Sequence, residues 1–166
     1  MENQPHYRIW ISGKGGQGIS FLGDLLIHAF IAEKKHARLE VSSEWAIRGG
    51  LVIARVFADP APEATWAAPE NFNILLSLDP GAKWIPEARD TEALILNSWD
   101  SGAYALAHQH KAQQMLNLLM LGYLLSKCPL FSEDTAAWAL KQSLGPTRLK
   151  AMPLNLEMLE FGAQLA

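Results

Sequence analysis

"YRIWISGKGGQGISFLGDLLIHAFIAE", residues 7 to 33, contains the change of periodicity that decides how the fold begins. Residues 7–12 are a short strand-like run that ends at glycines, and residues 18–33 then place apolar side chains at helical spacing. The predicted order is strand, glycine turn, helix. This order is typical of the start of a βαβ unit, so we expect the next strand to join the same sheet.

Four more strand-like runs follow, rich in Ile, Leu and Val and bounded by turn residues: 36–41, 51–57, 73–78 and 93–97. The last two are apolar on both faces, which indicates a sheet covered on both sides. Helices are predicted within 79–89 and at 110–126, 132–144 and 155–165, and a surface crossover is predicted at 58–71. The sequence therefore predicts one domain, residues 1–166, of the α/β class: a three-layer α/β/α, Rossmann-like fold with a mostly parallel sheet.

Composition argues against several classes of function. The formal net charge is −3 and the pI is about 5.9, which disfavours nucleic acid and anionic membranes as partners. The N-terminus lacks a secretory signal pattern, so we expect a cytoplasmic protein, and the apolar run at 115–125 is roughly half as long as a membrane span. One cysteine, Cys128, cannot form an intrachain disulfide or hold an iron–sulfur cluster by itself.

Three interpretations of "GKGGQG" (13–18) compete. The glycines satisfy G-x-G-x-x-G, with Glu40 at the distance of a ribose-binding acid, as in dinucleotide sites. A phosphate loop would need lysine where Ile19 stands. A plain turn that lets the helix approach the sheet explains Gly13 and Gly18 but explains the run Gly15-Gly16-Gln17 less well.

The segment "SSEWAIRGG" (42–50) follows the second predicted strand. In a parallel sheet it emerges at the same carboxyl edge as the first glycine loop, where the ligands of open α/β folds bind. Glu44 and Arg48 can form an ion pair across this loop, and Gly49-Gly50 permit a turn before the next strand. An ordinary surface ion pair beside a flexible turn is the simpler interpretation of the same residues.

Together the two glycine motifs resemble the gamma subunit or domain of the 2-oxoacid:ferredoxin oxidoreductases, which act on pyruvate, 2-oxoisovalerate (ketoisovalerate), 2-oxoglutarate or indolepyruvate. Further along, "NLLMLG" (117–122) is similar to the family's N-M-x-x-L-G helix, with Leu118 in place of Met. Asn155, Met158, Leu159 and Gly162 fall where the family has N-x-x-A-F-x-x-G. The chain departs from the family in being short around 97–111 and in carrying Trp45 at a variable loop position.

The resemblance implies a fold like domain III of pyruvate:ferredoxin oxidoreductase and a noncatalytic role beside alpha and beta subunits, with a delta subunit as a further candidate. Thiamine diphosphate, iron–sulfur clusters and coenzyme A are then cofactors of the complex, ferredoxin is its electron acceptor, and this chain alone binds none. No nucleophile motif is visible, and "HQH" (108–110) lacks nearby metal ligands. The expected binding residues are Gly13, Gly15, Gly16, Gln17, Gly18, Glu44, Arg48, Gly49 and Gly50.

Two other functions stay open on the sequence alone. A free-standing Rossmann protein would place a pyrophosphate on the first glycine loop and a ribose on Glu40. A solitary relative that serves as a binding module is compatible with the shortened chain.

Overall fold

The computed structural model describes residues 5–43, 50–62, 71–82, 86 and 89–165. Its strands are β1 (Tyr7–Lys14), β2 (His36–Ser43), β3 (Leu51–Asp59), β4 (Phe72–Ser77) and β5 (Arg89–Asn97). Its helices are α1 (Ile19–Ala32), α2 (Ala103–Gln109), α3 (Leu116–Lys127), α4 (Glu133–Leu144) and α5 (Met152–Gln164). Short 3-10 turns lie at Pro80–Ala82, Gln113–Met115 and Pro146–Ala151.

The five strands form one mixed sheet in the order β2-β3-β1-β4-β5. β4 pairs in parallel with both β1 and β5, whereas β3 is antiparallel to both β1 and β2. Four strands therefore point the same way and only β3 is reversed. The α/β class and the predominant strand direction agree with the sequence prediction, but β3 separates β2 from β1, so the chain does not form a simple βαβ unit.

The main core lies between the sheet and the helices. Ile9 and Ile11 of β1 and the alternate residues of β3 and β4 pack against α1, α3 and α4 in one continuous cluster. The opposite face of the sheet carries a smaller, aromatic-rich cluster of Trp10, Ile53, Phe57, Phe72 and Leu75. No side chain of the described helices belongs to this second cluster, so the second helical layer of the predicted three-layer fold is not found among the described residues.

Two predicted helices differ from the structure. The helix expected at 110–126 begins later, as α3 at Leu116, after the 3-10 turn Gln113–Met115. The preceding helix α2 was not predicted, and it ends where Lys111 adopts a left-handed conformation (φ 53°). The helix expected within 79–89 is reduced, in the described part, to the turn Pro80–Ala82. β5 also begins at Arg89, earlier than expected. Much of the predicted crossover, at residues 63–70, lies outside the described residues.

The α4 helix begins at the predicted Ser132 cap. The Ser132 hydroxyl accepts a hydrogen bond from the Thr135 amide at 3.1 Å, which satisfies one of the free amides of the first turn. Glu133 and Asp134 place negative charge at the same end, where the helix dipole favours it.

Candidate functional site

The first glycine loop joins β1 to α1 at the carboxyl edge of the sheet. It turns tightly, with the Gln17 amide donating to the Lys14 carbonyl oxygen at 3.1 Å. Gly16 (φ 93°) and Gly18 (φ 73°) both occupy the left-handed region, which side chains with a Cβ rarely adopt. At Gly18 a Cβ would also overlap the side-chain amide of Asn117. The loop therefore needs glycine at both positions for its backbone conformation, and at Gly18 also for close packing.

Gln17 ties the loop to the neighbouring strand. Its Oε1 accepts from the Lys14 amide at 2.7 Å, and its Nε2 donates to Oδ2 of Asp79 at 3.0 Å. Both ends of the amide are thus engaged within the chain. Sequence reasoning predicted Gln17 as a group for a ligand or a neighbouring chain, whereas the structure shows it bridging β1 and the end of β4.

Asp79 is the residue at this site that sequence reasoning missed. It follows β4, and its side chain is 6% exposed. Its Oδ1 accepts from the Gly81 amide at 2.8 Å and lies 3.0 Å from Nζ of Lys14, while Oδ2 accepts from Gln17. An acid directly after a buried strand, at the edge where parallel strands end, was the signal that could have identified it.

The second glycine motif meets the first at Gly50. The Gly15 amide donates to the Gly50 carbonyl oxygen at 2.9 Å, and Lys14 pairs with Leu51 in the β1–β3 register. The end of β2 and Gly50 therefore lie at the same sheet edge as the glycine loop, as predicted. Glu44, Trp45, Arg48 and Gly49 lie outside the described residues.

A cavity of about 300 Å³ opens beside the loop. The loop forms one wall, the first turn of α1 a second, and Val52 of β3 completes it. The residues that line it are Lys14, Gly15, Gly16, Gly18, Ile19, Ser20, Phe21 and Val52. Because Lys14 is paired with Asp79 and Ile19 is buried, the loop does not provide the free cation that a nucleotide-phosphate loop requires.

The structure contradicts the proposed ribose role of Glu40. Glu40 lies on β2, and β3 stands between that strand and β1, so about 10 Å of sheet separates it from the strand that enters the glycine loop. Its carboxylate instead pairs with Arg38 on one oxygen and with Nη2 of Arg55 at 3.0 Å on the other. The Arg55 pair crosses the β2–β3 ladder and the Arg38 pair lies along β2, so Glu40 is not in the dinucleotide geometry.

The helical motif residues have structural roles near the loop. Asn117, at the start of α3, donates to the Gly18 carbonyl oxygen at 3.3 Å. Further along, Gly122 of α3 faces Gly162 of α5, and a Cβ on either would overlap backbone atoms of the other helix. Asn155 is buried and donates to the Ala151 carbonyl oxygen at 2.5 Å. α3 is therefore fixed on one side to the glycine loop and on the other to α5.

The model of one protein family, described as pyruvate ferredoxin/flavodoxin oxidoreductase, matches residues 8–165. The chain belongs to this family. The match includes both glycine motifs and the α3–α5 contact, and it confirms the resemblance recognised from the glycine motifs. No curated protein matches the sequence.

Three solved structures of oxidoreductases share the fold. A 2-oxoglutarate:ferredoxin oxidoreductase from Magnetococcus marinus, with 2-oxoglutarate, coenzyme A and succinyl-CoA bound, superposes with a TM-score of 0.76 at 19% identity. It covers 99% of this chain, which spans only 31% of the Magnetococcus chain.

The other two relatives are close to this chain in length. The gamma subunit of a keto/oxoacid ferredoxin oxidoreductase from Geobacter sulfurreducens gives a TM-score of 0.70 at 17% identity, over 96% of this chain and 95% of that one. The pyruvate oxidoreductase subunit PORC from Thermotoga maritima gives 0.72 at 17% identity, over 97% of each chain. The fold of this chain therefore extends over nearly the whole of both solved structures.

In the part of the chain that the structure describes, no group of three or more His, Cys, Asp and Glu side chains could hold a metal ion. His108 of the "HQH" run instead lies 2.9 Å from Nε2 of Gln113. No described helix is both long and apolar enough to cross a bilayer.

Burial raises the pKa of the Cys128 thiol above its ordinary value. Because the thiolate is the reactive form, we expect Cys128 to react with Ellman's reagent more slowly in the folded chain than in the urea-unfolded chain at the same pH. The rate should keep rising above pH ~8.5, the ordinary pKa of a free thiol. The folded state also holds this proton more tightly, so its contribution to stability is lost as the pH rises through the raised pKa.

The control for this measurement is a peptide with the sequence "SKCPLF", which carries the same neighbours without the fold. Equal rates for the folded chain and the peptide at neutral pH would show that burial does not protect the thiol.

Proposed function

We propose that this chain is the noncatalytic gamma subunit, a single domain over residues 1–166, of a cytoplasmic 2-oxoacid:ferredoxin oxidoreductase. The family match over residues 8–165 carries the proposal, since nearly the whole chain belongs to the pyruvate ferredoxin/flavodoxin oxidoreductase family. The two relatives that this chain matches over almost their full lengths support it. Alpha and beta subunits, with a delta subunit as a further candidate, are the proposed partners.

The proposed complex oxidatively decarboxylates a 2-oxoacid such as pyruvate or ketoisovalerate to an acyl-CoA and passes the electrons to ferredoxin. In that complex, thiamine diphosphate and iron–sulfur clusters supply the carbanion and electron-transfer chemistry. The residues of this chain do not fit a cluster, because a cluster needs several thiolates and the sequence has one half-buried cysteine. We therefore assign these cofactors to the partner subunits.

We propose that a neighbouring subunit or coenzyme A contacts the glycine edge, which is the surface formed by the first glycine loop and Gly50. No side chain projects from its glycines to hinder this contact: Gly13, Gly15, Gly16, Gly18 and Gly50. The Gln17–Asp79–Lys14 bridge holds the edge in one conformation before any partner binds, which reduces the entropy lost on association. Glu44, Arg48 and Gly49 complete the proposed surface from the β2–β3 connection.

Ser20→Arg tests this assignment. Ser20 is an exposed residue in the first turn of α1 and lines the cavity beside the loop, so a long charged side chain there should block association without disturbing the core. When the tagged chain is purified from its source cells, we expect the variant to recover at least about tenfold less of the partner subunits, in line with the loss of an interface hot spot. Its melting temperature should not change. The 2-oxoacid-dependent reduction of an artificial acceptor should fall in parallel.

Ser126→Arg is the matched control, since Ser126 is also an exposed helical serine but lies at the end of α3. It should leave recovery and turnover unchanged. If the unsubstituted chain purifies without other oxidoreductase subunits, the proposed function is wrong. If both variants assemble normally, the subunit role stands and the glycine edge is not the contact.

A further inference from the structure

A second cavity lies at the opposite edge of the sheet from the glycine loop, between the end of α1 and the start of β2. Its volume is about 480 Å³, within the range of small-ligand sites. Cationic or imidazole side chains dominate its lining and apolar side chains form the rest: Ile31, Lys34, Lys35, His36, Ala37, Arg38 and Pro62. None of these residues is acidic, although the chain as a whole carries a net charge of −3.

The nearby carboxylates are engaged elsewhere. Glu33 accepts a hydrogen bond from the Thr135 hydroxyl of α4 at 2.6 Å. Oδ1 of Asp59 accepts from Nη2 of Arg8 at 2.7 Å and lies 2.5 Å from Nδ1 of His6. Among the described carboxylates, Glu40 alone pairs with a residue of the cavity, through Arg38. The positive charge of the cavity is therefore only partly neutralised within the described chain.

The cations differ in how firmly they are held. The Arg38 guanidinium lies over the Phe57 ring, 4.3 Å from its centroid, and Nζ of Lys35 lies 3.4 Å from the Pro5 carbonyl oxygen. The side chains of Lys34 and His36 have no partner among the residues that the structure describes. Two positioned cations thus stand beside two groups that can turn towards a ligand.

Lys34 occupies a position that normally selects glycine. Its amide donates to the Ile31 carbonyl oxygen and the Lys35 amide donates to that of Phe30, both at 2.9 Å, which is the Schellman pattern that ends a helix. Lys34 takes the left-handed residue of this pattern, with φ 59°. Glycine would adopt this conformation at lower cost, so backbone stability does not account for a lysine here.

We infer that this cavity binds the phosphate group of a small organic phosphate. Lys34, Lys35, His36 and Arg38 supply donors and positive charge for the oxyanion, and the apolar wall of Ile31, Ala37 and Pro62 accommodates the organic part. Ile31 is 53% exposed in the absence of such a ligand. This cavity lies at the edge of the sheet away from the proposed subunit contact, so phosphate binding here does not depend on that contact.

The test is an amide NMR titration of the full chain at constant ionic strength, with phenyl phosphate, inorganic phosphate and phenol as probes. Phenyl phosphate should shift the amides of residues 31–38 at millimolar concentration, inorganic phosphate should shift the same amides more weakly, and phenol should shift none of them. Lys34→Gly should weaken phenyl phosphate binding by at least about threefold, because it removes one charge-assisted contact. The variant should melt no lower than the original chain.

Lys111→Gly is a closely matched control. Lys111 is an exposed lysine that ends α2 in the same left-handed conformation, and it does not line the cavity. Its amide donates to the His108 carbonyl oxygen and the Ala112 amide donates to that of Ala107, which is the same hydrogen-bond pattern as at Lys34. Its substitution removes the same charge and the same backbone strain, so phenyl phosphate should bind unchanged. Equal weakening by the two variants would overturn the inference, because it would reflect net charge alone. Unshifted amides at 31–38, or equal shifts with phenol, would also overturn it.

Discussion

Gly122→Ala should destabilise the protein by on the order of 3 kcal/mol, although the same change inside an exposed helix is normally stabilising by about 1 kcal/mol. A Cβ at Gly122 would overlap the Leu159 carbonyl oxygen and would lie 2.8 Å from the Ala163 amide nitrogen. Both are backbone atoms of α5, so no side-chain rotation relieves the contact. α5 must move away from α3, and the buried Met158 moves with it.

Gly23→Ala provides the comparison within the same chain. Gly23 is a helical glycine in α1, but its Cβ would meet the end of the Leu39 side chain and, at 3.4 Å, the Ala54 methyl group. A side-chain end can rotate, so we expect a loss below about 1 kcal/mol. Urea unfolding of the two variants, followed by circular dichroism, measures the difference.

Gly162→Ala tests the same contact from the other helix. Its Cβ would overlap the Leu119 carbonyl oxygen of α3, so this variant should lose about as much stability, on the order of 3 kcal/mol. The double variant Gly122→Ala/Gly162→Ala should lose less than the sum of the two, because the helices separate only once. Wild-type stability of either single variant would show that the two helices are not packed as closely as described.

The opening of the fold was predictable because local signals agree there. The apolar periodicity changes from two to 3.6 residues at the glycines, and the structure places β1 at Tyr7–Lys14 and α1 at Ile19–Ala32, close to the predicted 7–12 and 18–33. α4 was equally predictable, since Ser132 caps it and an apolar stripe follows. In both cases the signal lies within about a dozen residues.

The reversed direction of β3 was not predicted, although part of the signal was present. Only residues 44–50 connect β2 to β3, which is too short for a parallel crossover and favours an antiparallel hairpin. β3 is thereby reversed, and it then pairs with β1 as well. The end of β2 still reaches the edge of the glycine loop, because β1 and β2 both oppose β3. The predicted meeting of the two loops was thus correct for Gly50, although the predicted parallel connection was wrong.

The hydrogen bond between Gln17 and Asp79, which shapes the site, could not be predicted from the sequence for a different reason. Gln17 and Asp79 are 62 residues apart, and nothing in either local sequence specifies the partner. The glycines reveal that the backbone turns tightly, but the polar contact that holds the turn depends on β4 lying beside β1. Pairings of this kind follow from the strand order, so they cannot be derived before it.

Asp79→Ala should cost on the order of 2 to 3 kcal/mol of stability and release the glycine loop. The substitution leaves the Gly81 amide and Nε2 of Gln17 without their acceptor and Lys14 without its counter-ion. The two hydrogen-bond donors should account for most of the loss, because the Lys14 side chain is 44% exposed and water screens its charge. Amide hydrogen exchange should accelerate at Gln17 and Gly81 by more than at the centre of α1.

Asp100→Ala is the control for Asp79→Ala, since Asp100 follows β5 as Asp79 follows β4 but is exposed and accepts from the Asn97 side chain at 2.7 Å. It should cost less than about 1 kcal/mol, as for most solvent-exposed polar contacts. Gln17→Ala combined with Asp79→Ala should lose less than the two single changes added together, by about 1 kcal/mol, because both remove the same hydrogen bond. A contrary result would be that Asp79→Ala lowers the free energy of unfolding no more than Asp100→Ala while the loop amides exchange at their original rates. That result would show that the glycines alone determine the conformation of the loop. If instead the loop opens while the core stays folded, loss of partner recovery by Asp79→Ala would show that association requires the preformed glycine edge.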